Sequence, residues 1–183
     1  MGGTIATNAS GARSFLYGST RRHVLSVTVA RMDGTVRTYG REEQLDFAYT
    51  PLAAPRSRKH TAGYYLGENS GYVDLICGSE GTLAVVLEAE VRLLRQPASL
   101  LSGVVFFRSE QAALDAMDEW REAPQLRMLE FFDGPSLGLL RGPYPEIPAA
   151  ARAALLIEQI ADGLGDAEEA WLERMERFKG LAI

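Results

Sequence analysis

Hydrophobic and polar side chains alternate in two stretches of the first half of the chain. Val24, Val27 and Val29 alternate with Ser26 and Thr28, and after Met32-Asp33-Gly34-Thr35 a second short run occupies residues 36–39. Two β-favouring runs joined by Asp-Gly predict an antiparallel hairpin. From Leu83 the chain becomes apolar, and from Leu87 it alternates as Leu87, Ala89, Val91 and Leu93 against Glu88, Glu90 and Arg92. That pattern predicts a long strand over 83–94 with one wet face, Leu87 and its period-2 partners lying on the dry one. Between the two, residues 41–72 lack sustained periodicity and carry Pro51, Pro55 and the basic cluster Arg56-Ser57-Arg58-Lys59-His60. They read as a short helical piece followed by a loop whose order depends on a partner surface.

Gln96-Pro97-Ala98 ends the alternation, and the expected domains are 1–97 and 98–183. Residues 101–107 suit a strand. Ser109 is placed to open a helix on which Ala113, Ala116, Met117 and Trp120 recur at helical spacing. Residues 126–132 read as strand, 135–140 as short helix and 154–160 as strand. Asp166-Ala167-Glu168-Glu169 resembles a capping box for a last helix that places Trp171, Met175 and Phe178 on one face and ends at Gly180. The order βαβαβα with short connections predicts an antiparallel sheet with its helices on one face. The expected fold class is α+β throughout, with the hairpin and the 83–94 strand adjacent in the first half.

The composition changes this picture little. At 183 residues, 46% hydrophobic and 23% charged, the chain is globular in type. Its apolar runs stop far short of the roughly 18 residues of a membrane helix. The opening Met1-Gly2-Gly3-Thr4-Ile5-Ala6 lacks the basic and apolar regions of a secretion signal, so a cytoplasmic location is expected. Cys77 is a single cysteine, which excludes an internal disulfide. Residues 1–95 hold 11 Lys and Arg against 9 Asp and Glu, whereas residues 96–183 hold 8 against 15. The acidic second half argues against nucleic acid as a partner. The first half holds 11 of the 18 glycines, so it reads as the binding surface and the second half as scaffold.

Two segments are candidates for chemistry. The small, uncharged run over residues 2–12 reads as a loop exposing backbone N–H groups, and such a run either converges on an anion such as a pyrophosphate or forms a plain turn. It fits neither the dinucleotide-binding nor the P-loop template. Gly78-Ser79-Glu80-Gly81-Thr82-Leu83 feeds the long strand; Glu80 there either accepts from a ribose or an amide, or caps the turn. His23 reads as structural, His60 as facing a bound group or solvated, and neither has metal-ligand spacing with another His. Cys77 has no basic neighbour in sequence and reads as buried and inert. Asn8-Ala9-Ser10 matches a glycosylation sequon that a cytoplasmic chain would not use. Met117, Trp120, Trp171, Met175 and Phe178 read as core, and Tyr64 and Tyr65 as packing or site residues.

Residues 2–13, then Tyr17-Gly18 and Thr20-Arg21, the hairpin with Asp33-Gly34, Thr61-Ala62-Gly63-Tyr64-Tyr65-Leu66, and residues 74–83 resemble, in order, successive motifs of the FAD-linked oxidases of the vanillyl-alcohol oxidase superfamily, with their PCMH-type FAD-binding domain. The resemblance is nearest to D-lactate, D-2-hydroxyglutarate and glycolate dehydrogenase subunits and to alkyl-dihydroxyacetone-phosphate synthase. It implies that 1–97 is the second subdomain of the FAD-binding domain and 98–183 the first part of the cap or substrate domain. It also implies FAD near Gly3, Ala6, Thr7, Asn8, Ser10 and Gly11, with Gly18 beside them and Glu80, Gly81 and Val85 toward the adenosine. Asn8→Ala is then expected to remove one hydrogen bond to the cofactor, worth about 0.5–1.5 kcal/mol, with little effect on the chain itself. Ala84 stands where the family has Gly. The family's Pro-Gly-Gly loop and His-rich metal segment are not in this sequence, and a partial chain is expected. The implied reaction is hydride transfer from a 2-hydroxy acid to flavin. The alternative is a non-catalytic module whose partner chain supplies the missing subdomain, or which self-associates through exposed apolar surface.

Overall fold

The computed structural model describes residues 1–53, 57, 59–163, 165 and 167–181. The hairpin forms as β1, Val24–Arg31, and β2, Val36–Gly40, with Val27 opposite Tyr39. Its turn is held by the Asp33 carboxylate, which accepts from the backbone N–H of Thr35 at 2.9 Å and from its hydroxyl at 2.6 Å, while Gly34 takes a φ of 83°. β3, Ala84–Val91, pairs with the other edge of β1, giving an antiparallel sheet in the order β2-β1-β3.

The expected dry face of β3 is corrected. Leu87 is 53% exposed and Leu93 lies beyond the strand at 87% exposed, whereas Ala84 is buried and Val86 packs beside it. The cause is a register shift: Thr28 faces Glu88 but Val29 faces Val86, so Leu87 is the extra residue of a bulge. A bulge switches the inward parity, which is even before Leu87 and odd after it, where Val91 packs against the core while Ala89, paired with Val27, stays exposed.

The opening is also corrected, from loop to α1, Gly2–Ala6, closed by Ile5 N–H to Met1 C=O at 3.1 Å and Thr7 N–H to Gly3 C=O at 3.0 Å. Two helical glycines cost about 0.8–1.0 kcal/mol each, and full burial of Ile5 offsets this with roughly 1.5–3 kcal/mol. α2, Ser14–Tyr17, and a 3-10 turn, Thr20–His23, follow. No helix forms among the described residues of 41–71. That segment, without an apolar face to bury, is held by an isolated bridge between Gln44 and Gly71 and by Leu52 N–H to Leu66 C=O at 2.7 Å. Pro55, Arg56 and Arg58 lie outside the described residues. A helix comes instead at α3, Tyr72–Ile76, which buries Val73 and Ile76 and is too short to show a period.

The chain divides into two compact units, Met1–Ser14 with Gly18–Arg95, and Phe15–Tyr17 with Gln96–Ile183. The second is built on β4, Leu100–Phe107, β5, Leu126–Phe132, and β6, Ala153–Ile160, antiparallel in the order β4-β6-β5. Val105, Phe107, Leu155 and Ile157 pack with α4, Glu110–Trp120, and α6, Ala167–Arg177, whose Trp120 and Trp171 rings meet edge-on at 6.0 Å. α5, Gly134–Leu140, lies on the opposite face, where its buried Leu137 clusters with Ala154, Val104 and Phe106. The expected one-sided helix layer is therefore corrected. The unbroken apolar run over 153–157 makes β6 a central strand with two dry faces, and each must be covered. Ser109 caps α4 by accepting from Ala112 N–H at 3.2 Å, and Asp133 caps α5 by accepting from Ser136 N–H at 2.8 Å. α6 closes with Lys179 at a φ of 53° and Gly180 N–H bonded to Met175 C=O at 2.8 Å, a Schellman ending. The capping residue expected at Asp166 lies outside the described residues. Among the described residues no helix is long and apolar enough to cross a membrane.

Candidate functional site

The two glycine-rich segments meet through their main chains. Gly78 N–H donates to Ile5 C=O at 3.0 Å, and Glu80 N–H donates to Ala6 C=O at 2.8 Å. This joins the end of α1 to the turn before β3, where Gly78, Glu80 and Gly81 take φ of 92°, 53° and 75°. An L residue with a Cβ rarely holds that conformation, so the spacing of glycines around Ser79-Glu80 serves the turn.

Asn8 follows α1 at a φ of 45° and is fully buried. Its Oδ1 accepts from the backbone N–H of Arg21 at 2.9 Å, whereas its Nδ2 has no hydrogen-bond partner. The Thr20 N–H and hydroxyl both donate to Ala9 C=O, at 3.1 and 2.8 Å. The segment after α1 is thus pinned to the 3-10 turn, and Asn8 has a structural bond in addition to any ligand contact. Its removal is not neutral for the chain, contrary to the expectation from sequence.

Around this frame the expected site residues differ in exposure. Gly3 and Gly11 are exposed, and a Cβ added at Gly3, Gly11 or Gly81 would meet nothing within 4 Å. Ala6 and Ser10 are half-buried, while Thr7 is exposed with its hydroxyl donating to Gly3 C=O at 2.9 Å. Gly18 takes a φ of 79° and leaves space that the Arg22 side chain fills. Glu80 is exposed, and Val85 is 60% exposed on the outer face of β3. Ala84 points the other way, into the core, so its methyl is not on the face that Val85 presents.

Arg21 ties these pieces together, and its role was not legible locally. Its Nε–H donates to Asp74 C=O at 3.2 Å, its Nη2 to Cys77 C=O, and its guanidinium lies 4.5 Å from the Tyr65 ring centre. Arg41 adds an ion pair to Asp74 at 2.8 Å and donates to the Arg21 carbonyl at 3.3 Å. Burial lowers the Arg21 pKa from its ordinary value, against the opposing pull of Cys77 and Asp74. The available signal was a guanidinium's five donors, which require acceptors when buried. Those acceptors lie 53 and 56 positions away. Burial pushes the Cys77 thiol up to about 11 and so disfavours the thiolate, against the opposing pull of the Arg21 charge that the fold brings near it. His60 Nδ1 is buried without a hydrogen-bond partner, and the hydroxyls of Tyr64 and Thr82 lie 2.6 Å apart. Among the described residues no group of three His, Cys, Asp or Glu is placed to hold a metal ion.

Residues 1–40 match the family model described as FAD binding domain. Glycolate oxidase subunit GlcD of Bacillus subtilis is 34% identical over 189 residues, which cover 100% of this chain and 35% of the relative. The chain is therefore similar, over this segment and in its relatives, to the family of FAD-linked hydroxy-acid dehydrogenases and oxidases. The cofactor of this family is FAD. Probable D-lactate dehydrogenase, mitochondrial, of Danio rerio is 35% identical over 132 residues, 72% of this chain and 23% of the relative. A solved alkyldihydroxyacetonephosphate synthase shares the fold with a TM-score of 0.64 at 18% identity, over 99% of this chain and 33% of that one. The chain spans between 23% and 35% of the length of these relatives.

Proposed function

We propose that this chain contributes a main-chain cradle for FAD in an oxidoreductase that dehydrogenates a 2-hydroxy acid. The observation that carries the reading is the join of α1 to the 78–81 turn by Gly78–Ile5 and Glu80–Ala6 hydrogen bonds, beside a buried Asn8 whose Nδ2 has no partner. An orphaned buried amide costs about 1–3 kcal/mol, and an acceptor on a ligand recovers it. The residues fit the cofactor in a second respect. Gly3, Gly11 and Gly81 leave open space where side chains would stand, so a bulky anion can approach the backbone.

In this reading Gly3, Ala6, Thr7, Asn8, Ser10 and Gly11 hold the pyrophosphate and ribityl chain, with Gly18 beside them. Glu80, Gly81 and Val85 lie toward the adenosine. Residues 1–97 act as the second subdomain of a PCMH-type FAD-binding domain, and 98–183 as the first part of the cap domain. FAD, when bound, accepts a hydride from the substrate carbon. Arg21 and Asn8 keep the cradle rigid before the ligand arrives, which lowers the ordering cost of binding. The likeness to a glycolate oxidase subunit and a D-lactate dehydrogenase supports a small 2-hydroxy acid as substrate, and the location proposed is cytoplasmic.

The test is a calorimetric FAD titration of the full polypeptide and of Gly3→Val, followed by reduction of a dye acceptor with D-lactate, glycolate and D-2-hydroxyglutarate. A β-branched side chain at Gly3 should abolish FAD binding. Equal affinity in both proteins would reduce the segment to a turn.

A further inference from the structure

The first unit holds a second polar feature, a cavity of about 390 Å³ on the side-chain side of Arg21. Three guanidiniums line it, from Arg21, Arg22 and Arg41, against the carboxylates of Asp74 and Glu68, so its wall carries one net positive charge (three minus two). Much of that charge is already engaged: Arg41 pairs with Asp74 at 2.8 Å, and Arg21 donates to two carbonyls. Arg22 adds an exposed charge at the rim.

Two further lining groups are unsatisfied. Ser70 is 2% exposed and its hydroxyl has no hydrogen-bond partner; His60 Nδ1 is buried and has none either. Buried polar atoms are normally paired, so two orphans on residues that line one cavity point to an occupant that pairs with them. A guanidinium only donates, and beside it a hydroxyl and an imidazole nitrogen can both serve as donors. With a positive wall, a cation is excluded by charge, and an apolar ligand leaves the donors unmet.

We infer that this cavity is a binding site for a small oxyanion, a carboxylate or a phosphate group, with Ser70 and His60 as donors in the wall and Arg22 as the charge at the rim. The site is distinct from the FAD cradle. Arg21 separates the two, since its backbone N–H meets Asn8 while its side chain lines the cavity.

The experiment is an amide NMR titration of the full polypeptide with sodium phosphate and, separately, sodium acetate, each against a sodium chloride control of matched ionic strength. Saturable shifts centred on Asn69, Ser70 and Arg22 are expected. Ser70→Ala and Arg22→Ala should each weaken the dissociation constant by about tenfold or more, the loss of one charge-assisted hydrogen bond. Saturation by phosphate alone assigns a phosphate ester, and saturation by acetate assigns a carboxylate. Shifts no larger than those with chloride for both anions, or saturable binding unchanged in both variants, would overturn the inference. Because Gly3 does not line this cavity, loss of FAD binding in Gly3→Val and loss of oxyanion binding in Ser70→Ala report on separate sites.

Discussion

The side chain of Asn8 bonds the backbone N–H of Arg21 with its oxygen, at 2.9 Å, and offers its buried nitrogen to nothing among the described residues. The two ends of one amide therefore make different predictions. Asn8→Asp keeps the acceptor for Arg21 but puts an anionic oxygen where the unpaired donor stood, so FAD binding should be lost to charge repulsion. Asn8→Ala leaves the Arg21 N–H unpaired as well, and should cost about 1–3 kcal/mol of stability. Urea denaturation measures the second effect and calorimetry the first. FAD affinity in Asn8→Asp equal to that of the unmodified protein would remove Asn8 from the cradle.

Gly3 and Gly71 should respond oppositely to the same methyl group. Gly3 lies within α1 with open space around its Cβ position, so Gly3→Ala should stabilise the chain by about 0.8–1.0 kcal/mol on helix propensity. The same variant should bind FAD more weakly, because the methyl occupies the cradle. At Gly71 a Cβ would lie 2.6 Å from the Glu43 carbonyl oxygen, and backbone cannot move aside as a flexible side chain does. Gly71→Ala should therefore lose about 1–3 kcal/mol through overpacking. Thermal melts of both variants check the pair.

Cys77 gives the protein an alkaline liability. Burial raises its pKa from the ordinary 9.0 to about 11, so the folded state holds the thiol proton over a window in which the unfolded chain releases it. The unfolded state then binds fewer protons than the native one, and stability falls as pH rises. The contribution is fully present below pH 9 and is lost as pH approaches about 11. Melting temperatures across that window should fall more steeply for the unmodified protein than for Cys77→Ala. The native thiol should also stay unreactive toward an aromatic disulfide reagent at pH 8 and react once urea unfolds the chain.

The regular elements were legible because local pattern decided them. Val24, Val27 and Val29 marked β1, Asp33-Gly34 its turn, and Ser109 the start of α4. Features that depend on distant residues were not. The bulge at Leu87 is set by pairing with β1, so alternation alone assigned the wrong residue to the dry face. The helix at residues 2–6 exists because Ile5 finds a core made by β1 and α3, which the glycines beside it do not announce. Of the candidate site, the two glycine-rich segments were visible in the sequence, but the frame that Arg21 makes between residues 8, 65, 74 and 77 spans most of the unit.

The last prediction concerns the seam between β6 and α6. Trp171 Nε1–H donates to Gln159 Oε1 at 2.6 Å in a fully buried contact, and Gln159 Nε2–H donates onward to Pro124 C=O at 2.8 Å. Gln159 is 3% exposed, so water does not replace it when it is cut away. Gln159→Leu keeps the approximate volume but strands the indole N–H and the Pro124 carbonyl, and should cost about 1–3 kcal/mol. Trp171→Phe alone removes the donor and leaves the Gln159 oxygen unpaired, with a cavity beside Trp120. In the double variant the stranded indole N–H is gone, so its loss of stability should be smaller than the sum of the two single losses. A double-mutant cycle by urea denaturation reads the coupling directly. Strict additivity would mean that apolar packing of Trp171 against Trp120, rather than the hydrogen bond, fixes α6 on the sheet.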